Sequence, residues 1–165
     1  MIDNNNNLIQ PLRIYKYNEL KKGVWIKDIN DNKDFKYGFK FDYYCYILRN
    51  QFWTYNAYIY LPLDHPLIKK TVKELDEIID IHGKLTYISP SEGIYGFDCA
   101  QIQLGDIIPI QKLMEKDNDI KFPEGKKYWT LNDCKKELIK LSKQCKLFDD
   151  YESIKKIVNK NKNEL

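Results

Sequence analysis

Residues 37–48, Tyr-Gly-Phe-Lys-Phe-Asp-Tyr-Tyr-Cys-Tyr-Ile-Leu, constrain the fold more than any other stretch of the chain. Tyr37, Phe39, Phe41, Tyr43, Cys45 and Ile47 place a bulky apolar side chain at every second position. A strand turns successive side chains to opposite faces, so this period suits one buried face of a sheet and does not suit a helix. Arg49-Asn50-Gln51 then reads as a turn, after which Trp53, Tyr55, Ala57, Ile59 and Leu61 repeat the alternation. Aromatic and β-branched residues fill both runs and Pro62 closes the second, which predicts an antiparallel hairpin over 36–61. A second hairpin is predicted over 84–102, folded about Pro90-Ser91-Glu92-Gly93.

Helical spacing takes over between and after these runs. Asp64 as N-cap, Pro66 in the first turn and Leu67, Thr71, Leu75 and Ile78 on one side predict a helix over 65–80. Thr130 with Asp133 three residues on makes a near capping box. Behind it, Leu131, Cys134, Leu138, Leu141, Cys145 and Phe148 recur at alternating steps of three and four, a core-facing stripe. Helices over 130–147 and 151–160 follow from this. Residues 13–26 read as a short strand and turn, and 104–110 as a strand or loop in which Pro109 argues against a central strand. The fold class expected is α+β: an antiparallel sheet of two hairpins, one mid-chain helix and two C-terminal helices. The 165 residues suit a single domain over 9–160, between a polar tail at 1–8 and a frayed end at 161–165.

Composition narrows the function classes. No apolar run approaches the ~18–20 residues that span a bilayer, and "MIDNNNNLIQ" lacks the basic and apolar regions of a secretory signal, so a cytoplasmic protein with no membrane partner is expected. Cys45, Cys99, Cys134 and Cys145 are scattered without zinc spacing and read as reduced, buried thiols. Lysine is abundant, 25 residues, against only Arg13 and Arg49. The arginine fork is what grips phosphates and guanine in pairs of bonds, so its scarcity makes nucleic acid an unlikely partner. From residue 126 onward eleven lysines face six acids, so the C-terminal helices offer a basic face as an alternative interaction surface.

The chain has two histidines, His65 and His82, and no phosphate loop, serine elbow or zinc-protease motif. What is left over at the ends of predicted elements is a dispersed polar set: His65, His82, Asp98, Cys99 and Asp106. Asp98 and Asp106 stand eight residues apart. Two carboxylates beside a histidine can hold a divalent cation or do acid–base chemistry. A nucleophilic Cys99 paired with His82 is the less favoured alternative, because the thiol sits inside a predicted strand.

An ordered set of motifs then stands out: Trp53, Tyr58, Pro62, His65-Pro66, then His82-Gly83-Lys84-Leu85-Thr86-Tyr87, then Gly96-Phe97-Asp98-Cys99-Ala100-Gln101 and Gly105-Asp106. Across residues 50–145 this resembles a small family of phage and bacterial proteins of no assigned activity. Its members carry a tryptophan, a "P..HP", an "HGGLT" and a "GFDCAH..D". The resemblance implies a site at the same residues but no reaction. Lys84 stands where the family pattern has a second glycine, and Gln101 where it has a histidine. Glutamine can hydrogen-bond but cannot shuttle protons near neutral pH, which favours binding over catalysis. The asparagine-, lysine- and isoleucine-rich style also looks like that of giant amoebal virus proteins.

Three functions are therefore expected in order. The first is a viral accessory protein binding a small polar ligand or nucleotide, with His65, His82, Asp98, Gln101 and Asp106 around the pocket and Trp53 or Tyr95 as its apolar wall. The second is a metal-assisted hydrolase with Asp98 and Asp106 as ligands of a divalent cation and His82 as base, the three forming the catalytic set. The third is a protein or nucleic-acid interaction module built on the basic C-terminal helices.

Overall fold

A computed structural model describes residues 20, 22–32, 35–118 and 121–163. The tail expected at 1–8, and most of the strand expected at 13–26, lie outside the described residues. The α+β class holds. Five strands form one antiparallel sheet: β1 (Lys36–Lys40), β2 (Tyr44–Arg49), β3 (Tyr55–Tyr60), β4 (Tyr87–Ser89) and β5 (Ile94–Asp98), in the order β1-β2-β3-β5-β4. The helices are α1 (Ile26–Asp31), α2 (Val72–Ile78), α3 (Pro109–Asn118) and α4 (Leu131–Asn163), with short 3-10 turns at Pro66–Lys69 and Ile102–Leu104. Among the described residues no helix is long and apolar enough to cross a membrane.

Several expectations about elements need correction. The run 36–61 is three strands, not one hairpin of two. Its extra turn at 41–43 is invisible to a period-two reading, because Phe39 pairs with Cys45 and Tyr37 with Ile47 and all stay on one face. The helix expected over 65–80 is broken at Lys70, which is extended. Thr71 and Glu74 form a reciprocal capping box that starts α2 afresh, and the 3-10 turn before it is capped by His65 rather than Asp64. The two C-terminal helices are one, since 148–150 hold neither glycine nor proline and Lys146 pairs with Asp149 and Asp150 across the expected gap. Residues 161–163, expected to fray, belong to it. The segment expected as a strand or loop at 104–110 ends in α3, with Pro109 as its first residue.

One face of the sheet and one stripe of α4 make the main core. Cys45, Ile47, Tyr55, Ala57, Ile59, Tyr95, Phe97 and Cys99 meet Cys134, Leu138, Leu141 and Cys145, with Leu67 and Leu75 closing one side. All four cysteines are free and buried. A smaller cluster of Leu20, Trp25, Ile29 and Tyr128 packs beside it. Among the described residues no helix packs on the opposite sheet face, which displays Tyr44, Tyr46, Tyr58, Tyr60 and Tyr87.

Candidate functional site

Strand β5 ends at Asp98 because the Asp98 carboxylate turns back to accept the Ala100 N–H at 3.0 Å. The chain then bends through the 3-10 turn to Asp106. Asp106 is only 4% exposed and accepts three N–H groups: Trp129 Nε1 at 2.9 Å, the Gln101 amide at 2.8 Å and His82 Nε2 at 2.7 Å. These partners put a hydrogen on Nε2 of His82. The imidazole also lies against Trp129, centroids 4.2 Å apart, and its backbone N–H donates to Glu137 on α4. Gln101 completes the network by donating Nε2 to Asp98 at 3.0 Å. Gly83 takes a positive φ of 67°, and an added Cβ there would sit 2.6 Å from Gln101 Cγ, so this glycine makes room for the glutamine. Lys84, which stands in place of the family's second glycine, also has a φ of 67°.

Four of the expected site residues thus converge: His82, Asp98, Gln101 and Asp106. The other three do not join them. His65, 3% exposed, accepts the Leu67 N–H on Nδ1 and holds Nε2 3.1 Å from the Tyr43 hydroxyl and 3.2 Å from the Cys145 carbonyl, so it fastens the 3-10 turn to α4. Burial pulls its pKa below the ordinary value, only partly offset by the Cys145 carbonyl. Tyr95 is a core residue under α4. Trp53 has a φ of 63° and packs on the smaller cluster, where its carbonyl accepts from Arg49. Asp98 and Asp106 are joined through Gln101 rather than facing one another, and N–H donors already engage both carboxylates. The pair offers a cation no shared set of free lone pairs, and among the described residues no three His, Cys, Asp or Glu side chains gather to hold a metal. The Cys99 thiol lies 3.5 Å from that of Cys134, and this contact together with burial raises its pKa well above the ordinary value.

The network backs onto a cleft. Asn56 and Asp98 stand opposite each other on β3 and β5, and with Asn50, Gln51, Phe52 and Ala100 they line a space of about 520 Å³ at the end of the open sheet face. Asn50 builds the rim. Its Oδ1 accepts the Phe52 and Thr54 N–H groups, and its Nδ2 donates to Asn56 at 2.8 Å. Phe52 and Ala100 are shared with a second, apolar recess of about 330 Å³ that includes Ile102, Ile108, Ile110 and Met114. Among the described residues neither Lys nor Arg lines either space. Asn50, Gln51, Phe52 and Asn56 had no signal in the sequence, being ordinary loop and strand residues until the turn closes over Asp98.

Comparison with protein-family models, with curated proteins and with solved structures finds no match. The geometry of the site therefore carries the functional reading by itself.

Lysines on and just before the C-terminal helix are drawn onto neighbours. Lys127 lies over Trp129, Lys135 over Tyr37 and Phe39, and Lys143 over Phe41, while Lys140 and Lys146 pair with acids. A second buried network sits on the far side. Arg49 pairs with Asp28 at 2.9 Å, their side chains 3% and 9% exposed, and Tyr55, Tyr128 and the Leu131 N–H also bond to that carboxylate. Burial would push the Asp28 pKa up, but the Leu131 amide, Arg49 and the two tyrosines outweigh it and hold it below the usual range. One of only two arginines is thus spent where a rigid fork is needed.

Proposed function

We propose that the chain is a binding domain for a small, donor-rich ligand without net negative charge, held in the cleft at the end of β3 and β5. The observation that carries this is the chemistry of the lining: polar Asn50, Gln51, Asn56 and Asp98 with the ring of Phe52, and no Lys or Arg among the described lining residues. Amide oxygens and a carboxylate accept hydrogen bonds from hydroxyl or amino groups, and an aromatic edge suits an apolar ring face. Phosphate groups would find no countercharge there, so a nucleoside or sugar fits better than a nucleotide. The His82–Asp106–Gln101 network supports the reading by holding Asp98 and the turn after it in place. The resemblance to phage proteins enters through those same residues, and an accessory role in a viral setting is part of the proposal.

Thermal unfolding in the presence of nucleosides, polyamines, mono- and disaccharides, and nucleoside triphosphates tests it. A ligand that binds only the folded state at 100 times its Kd adds about 2.7 kcal/mol. At least one uncharged or cationic class should raise Tm saturably, triphosphates should not, and the rise should vanish in Asp98→Ala and Asn56→Ala. No rise with any class, or a rise that survives both substitutions, overturns the proposal.

A further inference from the structure

The sheet face that no helix among the described residues covers is ordered in rows by the strand register. One row reads Gly38, Tyr46, Tyr58, Gly96, Tyr87 across β1-β2-β3-β5-β4, and the next reads Lys40, Tyr44, Tyr60, Ile94, Ser89. A third row, Lys36, Leu48, Asn56, Asp98, opens into the cleft. The tyrosines are organised against one another. Tyr44 meets Tyr60 and Tyr58 meets Tyr87 with centroids 5.5 Å apart and planes near perpendicular. The two glycines lie beneath side chains, since a Cβ on Gly38 would run into the Tyr44 hydroxyl and one on Gly96 into the Tyr58 ring. Tyr44, Tyr60 and Tyr87 remain 39–49% exposed.

Charge decides between occupants. Lys36 and Lys40 are both on β1, at one edge, whereas Asp98 and Glu92, which accepts from Ser89 Oγ, stand at the other side. Among the described residues a polyanion tracking this face would meet two cations and then two carboxylates, not the basic track that single-stranded nucleic acid requires. A neutral polyhydroxylated chain needs no countercharge. Its C–H faces pack on aromatic rings and its hydroxyls bond to the acceptors and hydroxyls this face offers: Tyr, Asn, Asp and Ser. We propose that the tyrosine face binds a linear neutral oligosaccharide whose end sugar enters the cleft. This rests on the cleft reading above. From Asn56 at the cleft to Tyr60, four residues along β3 at about 3.4 Å each cover about 14 Å, room for about three sugar rings.

The test is calorimetric titration of the full chain with cello-, chito- and malto-oligosaccharides of one to six units. In one series affinity should climb with length to about three units and then level off. Tyr60→Ala and Tyr87→Ala, which remove exposed rings and leave the core untouched, should weaken the hexamer at least fivefold each and leave the single sugar unchanged. Asp98→Ala should weaken every length. Binding that ignores length and both tyrosines overturns the tyrosine face and leaves the cleft reading standing. No glycan binding while a nucleoside or polyamine stabilises the chain through Asp98 does the same. Salt-sensitive binding of oligothymidylate lost in Tyr60→Ala makes the face a nucleic-acid platform and overturns the glycan assignment. Failure of every probe removes both readings.

Discussion

At the scale of single residues, the two histidines show how the same side chain is put to different uses by its surroundings. His65 is enclosed and already bonded through both ring nitrogens, so its neutral form belongs to the fold. Its folded pKa is lowered from 6.5. The unfolded chain therefore takes up a proton at a higher pH than the folded one, and stability must fall as pH drops below about 6.5. Urea midpoints measured between pH 8 and pH 5 should decline in the wild type and decline less in His65→Gln. An equal slope in both would mean that His65 is not the group responsible. His82, by contrast, is half-buried and bonded through one nitrogen to Asp106. The polar residues His82, Asp98, Gln101 and Asp106 were legible in the sequence because they were left over once the alternating core positions had been accounted for.

Secondary elements obey their local signals where those signals are strong, and yield where two compete. The stripe on α4 is buried at Cys134, Leu138, Leu141 and Cys145 as its spacing demands. Past Phe148 the helix continues, and Tyr151 and Ile154 are about 60% exposed. The two halves should therefore respond differently to change. Leu138→Ala should cost about 2–5 kcal/mol, whereas ending the chain after Asp150 should cost less than about 0.5 kcal/mol. Chemical denaturation of both variants checks this, and a large loss on truncation would show that the distal half packs on something. Around residue 70 the Thr71–Glu74 box overrides a continuous helical pattern, because a cap satisfies N–H groups that an unbroken helix would not have exposed.

On the scale of the whole molecule, two buried polar networks tie α4 to the sheet from opposite sides. Asp106 reaches Trp129 just before the helix, and Asp28 reaches Tyr128 and the Leu131 N–H. The second network also links the small cluster holding Trp25 to β2 and β3 through Arg49 and Tyr55. Asp28→Asn leaves Arg49 buried without its counter-ion, which should cost about 3–5 kcal/mol. Because the folded pKa of Asp28 is depressed, its contribution is complete above about pH 4 and disappears as pH falls through the folded value. The wild type should thus lose stability in acid with a steepness that Asp28→Asn lacks. Trp25 and Trp53 both report on the smaller cluster, so fluorescence should lead far-UV circular dichroism during unfolding of the variant and coincide with it in the wild type. Coincidence in both would mean that the cluster does not depend on Asp28.

The sequence by itself determined the α+β class, the buried face of the sheet, the core stripe of the last helix and the fate of the cysteines. Those features follow from periodicity, and periodicity is a local property carried by each segment alone. Tertiary structure decided the rest. Whether a period-two run is one strand or two depends on where it pairs, and parity does not change across the turn at 41–43. Whether Asp98 and Asp106 share a ligand or share Gln101 depends on contacts between groups that spacing cannot bring together. The cleft itself exists only because a loop after β2 closes over the end of β5, a meeting of residues about 50 positions apart. Each strand says which of its faces is buried; only the assembled sheet brings the tyrosines of the other face into rows.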